Sequence, residues 1–452
     1  MRYIPRVRKG DSVTLSCSTL DVEGAGVGLS EGVRVHVAGA LPNELVRAKV
    51  AHVSPHRPDA WATLDRVETA SPLRVATVCP GFGACGGCVI QHLAYDAQRT
   101  WKWERIANEV LGSPSLHAVA VAPCVASPRP LGYRNRSKLV YGSVDGKRVL
   151  GAFAPRSHQV VDMAGCQVAE APLDEIARAL LEVLNQRAVE PFDEQARTGI
   201  LRYVILRVNH QSEVLVTLVT AARDWPDGVQ VALALRALRR EVVGVVQNVN
   251  VSQGNAIYGT EDVPLDGRET LDDKVGGIFV RLSPTAFFQV NREVAAQLYA
   301  DLSAASGLTG TERVIDCYTG VGGVALTLAS RAAEVIGIEE NPAAVKDALA
   351  SAQLNHATRT RFVCGDAAEK LGEIDAADVV VLNPPRRGCA SEVLAATVKL
   401  RPRLILYVSC SPETLVRDLN LLAVAGFRTH SIRPYDMLPQ TPHVEALAVL
   451  TP

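Results

Sequence analysis

Arg313-Val-Ile-Asp-Cys-Tyr-Thr-Gly-Val-Gly-Gly323 is a short apolar run that ends in an acid and then breaks into glycines. Arg313-Val-Ile-Asp316 reads as a β-strand, and a helical pattern follows from Gly323 to Arg331. A glycine loop between a strand and a helix lets the backbone approach a ligand closely. The same alternation continues outward. Further strand-like runs are Glu334-Val-Ile-Gly-Ile-Glu339, Arg361-Phe-Val-Cys364, Asp378-Val-Val-Val-Leu382 and Leu404-Ile-Leu-Tyr-Val408. Helical patterns, such as Pro342 to Asn355, separate the first four and follow the fifth. This predicts an α/β fold of Rossmann-like type, a parallel sheet covered by helices on both faces. Two closing runs, Phe427 to Ile432 and Val444 to Leu450, lack a full helix between them, so an antiparallel hairpin is expected there.

Three strands end in acids. Asp316 precedes the glycines, Glu339 is placed to accept hydrogen bonds from two ribose hydroxyls, and Asp366 follows the third strand near an adenine edge. The loop is not G-x-G-x-x-G, and its acid precedes the glycines instead of following them. That disfavours a dinucleotide and suits S-adenosylmethionine, which carries a cationic amino group and no pyrophosphate. Tyr318 and Gly320 on the loop are read as further cofactor contacts.

The fourth strand ends in Asn383-Pro-Pro-Arg386 and the fifth in Tyr407-Val-Ser-Cys-Ser-Pro-Glu413, which puts Cys410 on the same rim. Carbon 5 of uracil is too weakly nucleophilic to take a methyl group directly. A thiolate adding at carbon 6 turns the ring into an enolate that is nucleophilic at carbon 5. A base must afterwards remove the carbon-5 proton, and Glu445 in His443-Val-Glu-Ala-Leu447 is the candidate.

Tyr407-Val-Ser-Cys-Ser-Pro-Glu-Thr-Leu-Val-Arg-Asp418 resembles the nucleophile motif of the RNA (uracil-5)-methyltransferases. Phe287-Phe-Gln-Val-Asn291 is similar to that family's upstream cofactor-contacting motif, and His443-Val-Glu445 to its general-base motif. The resemblance implies a class I S-adenosylmethionine methyltransferase domain, with Gln289, Glu339 and Asn383 lining the pocket, Cys410 as nucleophile and Glu445 as base. It covers nearly the whole chain, since residues 1–70 are similar to the family's RNA-binding TRAM barrel. One position departs: the family's motif at the fourth strand is Asp-Pro-Pro-Arg, and here an amide, Asn383, stands in place of the acid. An Asn-Pro-Pro lip also resembles that of amino-methyltransferases. Those follow it with an aromatic, whereas this chain has Arg386.

The remaining sequence frames this core. Residues 1–70 show short β-type runs punctuated by Gly24, Gly26, Gly28 and Gly32, which predicts a small OB-like barrel. Residues 71–280 form a central α+β region with one helix, Gln91 to Leu111, and residues 281–452 the methyltransferase domain. Among ten cysteines, Cys79, Cys85 and Cys88 fall close together. With Cys166 downstream, or Cys124 as the competing fourth, their spacing fits a [4Fe–4S] cluster or structural zinc. The resemblance favours the cluster and Cys166. Net charge is only −1, but between Arg129 and Val160 there are seven Lys/Arg against one Asp, a local phosphate-binding pattern. Arg134 and Arg136 are expected to bind RNA phosphates and Tyr133 to stack on a base. The N-terminal run Met1 to Gly10 is basic but lacks a following apolar stretch, and no run approaches the roughly 18 apolar residues that span a bilayer. The expectation is a monomeric cytoplasmic protein acting on RNA, ribosomal more than transfer RNA, with no membrane partner.

Overall fold

The five strands expected in the C-terminal region are present as Arg313–Cys317, Glu334–Glu339, Thr360–Cys364, Val379–Leu382 and Leu404–Ser409. In the computed structural model, which describes residues 7–452, they pair in parallel. Residues 1–6, which open the basic N-terminal run, lie outside the described residues. The four inner runs are apolar because both faces are buried, whereas the edge strand Thr360–Cys364 buries only Phe362 fully. Val314, Val335, Val379, Val381 and Leu406 point to a core shared with helix Arg292–Ser306. Ile315, Ile336, Val380 and Ile405 point to a second core, shared with helix Pro412–Val424. Period-two alternation thus sends each β-branched residue into one of two hydrophobic layers.

Strand order reverses between Arg313–Cys317 and Val379–Leu382, which creates a topological switch point at their carboxyl ends. The expected closing hairpin forms from Arg428–Tyr435 and Glu445–Thr451. Its second strand inserts antiparallel beside Leu404–Ser409, with Ala446 opposite Ser409. The neighbours of that pair, Glu445 and Cys410, are thereby brought to the same end of the sheet.

The helix read as Gln91 to Leu111 is Tyr95–Leu111, and it covers the C-terminal sheet rather than the central one. Ile106 and Val110 join the core that holds Ile432 and Leu419. Strand Ala120–Val121 extends the same sheet beyond Arg428–Tyr435. Sequence position alone does not say which core an amphipathic helix covers. The central body is a seven-stranded sheet from Arg136 to Gly267, with helices Ala171–Gln186 and Gly228–Leu238 packed on one face. Strands Ser12–Leu20, Gly26–Ser30, Val33–Ala38, Leu45–Val53 and Asp59–Thr69 close a barrel around Val35, Val37 and Val46. No helix among the described residues is long and apolar enough to cross a membrane.

Helix Tyr95–Leu111 also props up the segment that leads into Glu445. Gln98 and Gln440 bond reciprocally at 2.9 and 3.0 Å. Lys102, with its side chain 0% exposed, pairs with the equally buried Asp436 and donates to the Leu438 carbonyl at 3.0 Å. Breaking a buried pair on one side strands the other charge. Lys102→Met is therefore expected to cost about 3 kcal/mol, measured as a fall in thermal midpoint. The double change Lys102→Met with Asp436→Leu should recover most of that loss.

Candidate active site

At the switch point lies a cavity of about 710 Å³. Its cofactor end is built by the loop after Arg313–Cys317. Asp316 is buried, and its Oδ2 accepts hydrogen bonds from the Thr319 hydroxyl and, at 3.0 Å, from the Ala325 amide. Its Oδ1 is buried without a partner. Burial pushes the Asp316 carboxyl up to about 7, against the pull of those two donors. Glu339 accepts the Gly320 amide at 3.0 Å on Oε2 and the Asn341 amide at 3.0 Å on Oε1, so the second strand end is stitched to the glycine loop. Tyr318, at φ 62°, is a non-glycine residue in left-handed backbone, a strain that tends to be kept where a site requires it. Asp366 does not line the cavity. Its Oδ1 caps helix Ala367–Gly372 by accepting the Ala368 and Glu369 amides at 2.8 and 3.1 Å.

The same cavity holds the candidate reactive groups. Asn383, Pro384, Pro385, Arg386, Cys410, His443 and Glu445 line one wall. Burial, and then Glu445, raise the Cys410 thiol to about 11, while Arg386 pulls it down. Burial raises the Glu445 carboxyl to about 7, again opposed by Arg386. His443 is driven down to about 4 by burial and by Arg386, so near neutral pH it is uncharged and accepts from Arg386 Nη2 at 3.2 Å on Nε2. Arg386 is thus the cation shared by the thiol, the carboxyl and the imidazole. From sequence it matched the family's Asp-Pro-Pro-Arg motif and set the chain apart from amino-methyltransferases, but carried no chemical role. Its position directly after Asn-Pro-Pro on the rim was the available signal. His443 was likewise quoted without a role.

Phe287–Asn291 reaches the cavity because its ends are tied down. Phe288 is buried in the core, Asn291 caps helix Arg292–Ser306, and the Gln289 carbonyl accepts Asn135 Nδ2 at 3.2 Å. Gln289 lines the cavity beside Arg134, Arg136 and Lys138 from the central sheet. Arg136 also lies over the Tyr258 ring, 5.6 Å from its centroid. Tyr133 is a correction: it is 1% exposed, and its hydroxyl donates to the Pro439 carbonyl at 3.0 Å. It packs beneath the basic segment and cannot stack on a base.

Cys79, Cys85, Cys88 and Cys166 line a second cavity, of about 720 Å³, that shares Arg134 and Lys138 with the first. Burial raises the Cys88 thiol to about 12, and the charges on Cys166, Cys85 and Cys79 add to the rise. Cys124 is elsewhere, buried beside Lys102 and Asp436 with its carbonyl held by Arg99. Among the described residues no group of three His, Cys, Asp or Glu side chains is closed to metal-binding geometry, so the four cysteines line one cavity without forming a coordination sphere.

A parallel sheet with one inserted antiparallel strand, and an acid-glycine loop at its switch point, define an S-adenosylmethionine-dependent methyltransferase. Residues 127–451 match the family model of tRNA (uracil-5-)-methyltransferase, and the chain belongs to that family. It is 39% identical to an RNA methyltransferase of Geobacter sulfurreducens, across 99% of this chain and 91% of that one. It is 34% identical to one of Halalkalibacterium halodurans, across 98% of each. Among solved structures it resembles the Pyrococcus abyssi tRNA (uracil-54, C5)-methyltransferase bound to S-adenosyl-L-homocysteine. That match has a TM-score of 0.78 at 26% identity, covering 97% of this chain and 100% of that one.

The raised Asp316 carboxyl has a signed consequence. Between its ordinary value of 3.8 and about 7 the unfolded chain has released this proton and the folded one has not. This residue's contribution therefore destabilises the fold as pH rises through that window, then levels off. Asp316→Asn should raise the thermal midpoint of the ligand-free protein at pH 8 and leave it unchanged at pH 4. Equal effects at both would contradict the buried, protonated carboxyl.

Proposed function

We propose that this protein methylates carbon 5 of a uridine in RNA through a covalent adduct on Cys410. The single observation that carries this reading is that one cavity is lined by Cys410, Glu445, Asn383 and Arg386 together with the acid-glycine loop. S-adenosylmethionine supplies an electrophilic methyl group. Asp316 and Glu339, with Tyr318 and Gly320 between them, hold its amino group and ribose, and Gln289 reaches it from the opposite side. Asn383 hydrogen-bonds the uracil edge, where an amide can donate and accept but not ionise.

Cys410 loses its proton to solvent and its sulfur adds to carbon 6, with the ring electrons moving to an enolate that Arg386 stabilises. Carbon 5 then takes the methyl as the methyl–sulfur bond of S-adenosylmethionine breaks and S-adenosylhomocysteine leaves as the neutral thioether. Glu445, ionised above about pH 7, then removes the carbon-5 proton; the electrons return to the ring, and the Cys410 sulfur leaves. Arg134, Arg136 and Lys138 line the mouth as partners for the RNA backbone. The barrel at residues 12–69 serves as a TRAM-type RNA contact. Ribosomal RNA is the preferred substrate on the strength of that barrel and the cysteine cluster. Transfer RNA is the second reading, favoured by the Pyrococcus abyssi relative.

We further propose that Cys79, Cys85, Cys88 and Cys166 hold a [4Fe–4S] cluster. Four thiol donors lining one cavity support it. Its role is structural, because methyl transfer moves no electrons. Anaerobically purified protein should contain iron and acid-labile sulfide; zinc alone would replace this assignment with a zinc site.

Labelled S-adenosylmethionine with unmodified ribosomal and transfer RNA tests the main reading. Label should appear in 5-methyluridine and vanish with Cys410→Ala. Label in a methylated amine that survives Cys410→Ala would establish an amino-methyltransferase instead. Glu445→Gln should still add to RNA and transfer methyl, yet accumulate a covalent protein–RNA product that withstands denaturation. Asp316→Asn should weaken S-adenosylmethionine binding by about tenfold, or about 1.4 kcal/mol, despite stabilising the empty protein.

A further inference from the structure

Helix Pro412–Val424 begins two residues after Cys410 and turns one face toward the chain that continues from Asn383-Pro-Pro-Arg386. Three side chains on that face, Thr414, Arg417 and Asp418, stand at helical spacing on neighbouring turns. Each grips main chain of the loop. Thr414 Oγ1 donates to the Arg386 carbonyl at 3.2 Å. Arg417 Nη2 donates to the carbonyls of Arg387 and Cys389 at 3.0 and 3.2 Å. Asp418 Oδ2 accepts the Cys389 amide at 2.8 Å.

The same carboxylate reaches back to the nucleophile's strand. The hydroxyl of Tyr407, three residues before Cys410, donates to Asp418 Oδ2, and Arg417 Nε donates to Oδ1 at 2.7 Å. Tyr407 and Asp418 are both 0% exposed, so solvent does not compete for these bonds. The loop is shaped to receive them. Gly388 sits at φ 74°, and a Cβ there would stand 2.4 Å from Arg417 Nη2 and 2.6 Å from Asp418 Oδ2.

We propose that Thr414, Arg417 and Asp418 form a positioning clamp that locks the Asn383–Cys389 loop to the strand of Cys410 and so fixes Arg386 and Asn383 in register with the nucleophile. None of the three lines the cavity; they act through the loop. This rests on the reading of Cys410 as nucleophile with Arg386 as its charge partner. A loosened clamp lets Arg386 drift from the thiol. The groups that then set the thiol's ionisation are Glu445 on the adjoining strand, His443 just before it, and Arg134, Arg136 and Lys138 across the cavity.

Two variants test the clamp. Arg417→Met removes a side chain that is 48% exposed, which spares the fold, and Gly388→Ala forces the loop away while leaving the clamp residues intact. In both, kcat should fall by about tenfold or more while KM for S-adenosylmethionine stays within about twofold. The pH profile of Cys410 alkylation by iodoacetamide, followed on its peptide by mass spectrometry without RNA, should move to higher pH. Two results would overturn the proposal. One is a wild-type alkylation profile and wild-type kcat in both folded variants. The other is loss of S-adenosylmethionine affinity in step with kcat, the mark of general loosening. Failure of the nucleophile reading is separately visible as methyl transfer that survives Cys410→Ala, because the alkylation profile needs no turnover.

Discussion

The antiparallel strand Glu445–Thr451, wedged between Leu404–Ser409 and Arg428–Tyr435, is the constraint on which the chemistry depends. A purely parallel sheet would place a cofactor at its switch point and leave the thiol of Cys410 without a neighbouring carboxyl. By reversing direction, the last strand delivers its first residue, Glu445, to the rim where Cys410 has just left the fifth strand. The segment before it must then be held in place. Gln98, Lys102 and Tyr133 do so by bonding Gln440, Asp436 and Pro439.

Bringing a thiol and a carboxyl together in a buried wall favours the neutral form of each. That is useful to a carboxyl that must exchange a proton near neutral pH, and unhelpful to a nucleophile. Arg386 is the counterweight, acting on both Cys410 and Glu445 while His443, held neutral, occupies its Nη2. Asp316 shows the same logic at the cofactor end. Its buried carboxylate, with one oxygen unpartnered, costs the empty protein stability and is suited to a cationic ligand. Site groups placed against the preference of the fold are a familiar exchange of stability for function.

Much of this was legible in the sequence, because the parallel strands are continuous apolar runs and each ends in a chemically informative residue. Asp316, Glu339, Asn383 and Cys410 are all strand-end residues, and period and punctuation locate strand ends well. Gln289 came from motif resemblance and Glu445 from the reaction's need for a base, which the motif then matched; the structure brings both to the same cavity. What failed depended on tertiary packing. Tyr133 is polar-tipped, aromatic and set among arginines, yet it packs inward under Pro439. Asp366 ends a strand as Glu339 does, and the next helix starts at once and takes one of its oxygens as a cap, a use that a strand pattern does not display. Strand Asp59–Thr69 was not read from sequence because its polar residues mask the alternation; it faces the barrel interior mainly through Ala60 and Ala62. The clamp of Thr414, Arg417 and Asp418 was quoted within a motif with no role, since its partners are main-chain atoms that a sequence pattern does not display.

The central claim is that the methyl group goes to carbon 5 of uracil, displacing the hydrogen there. RNA prepared with tritium at carbon 5 of its uridines tests it most directly, by comparing tritium released to water with methyl groups transferred. The account predicts one tritium released for each methyl transferred, with release dependent on Cys410. Methyl transfer with the tritium fully retained would place the reaction on another atom and contradict it.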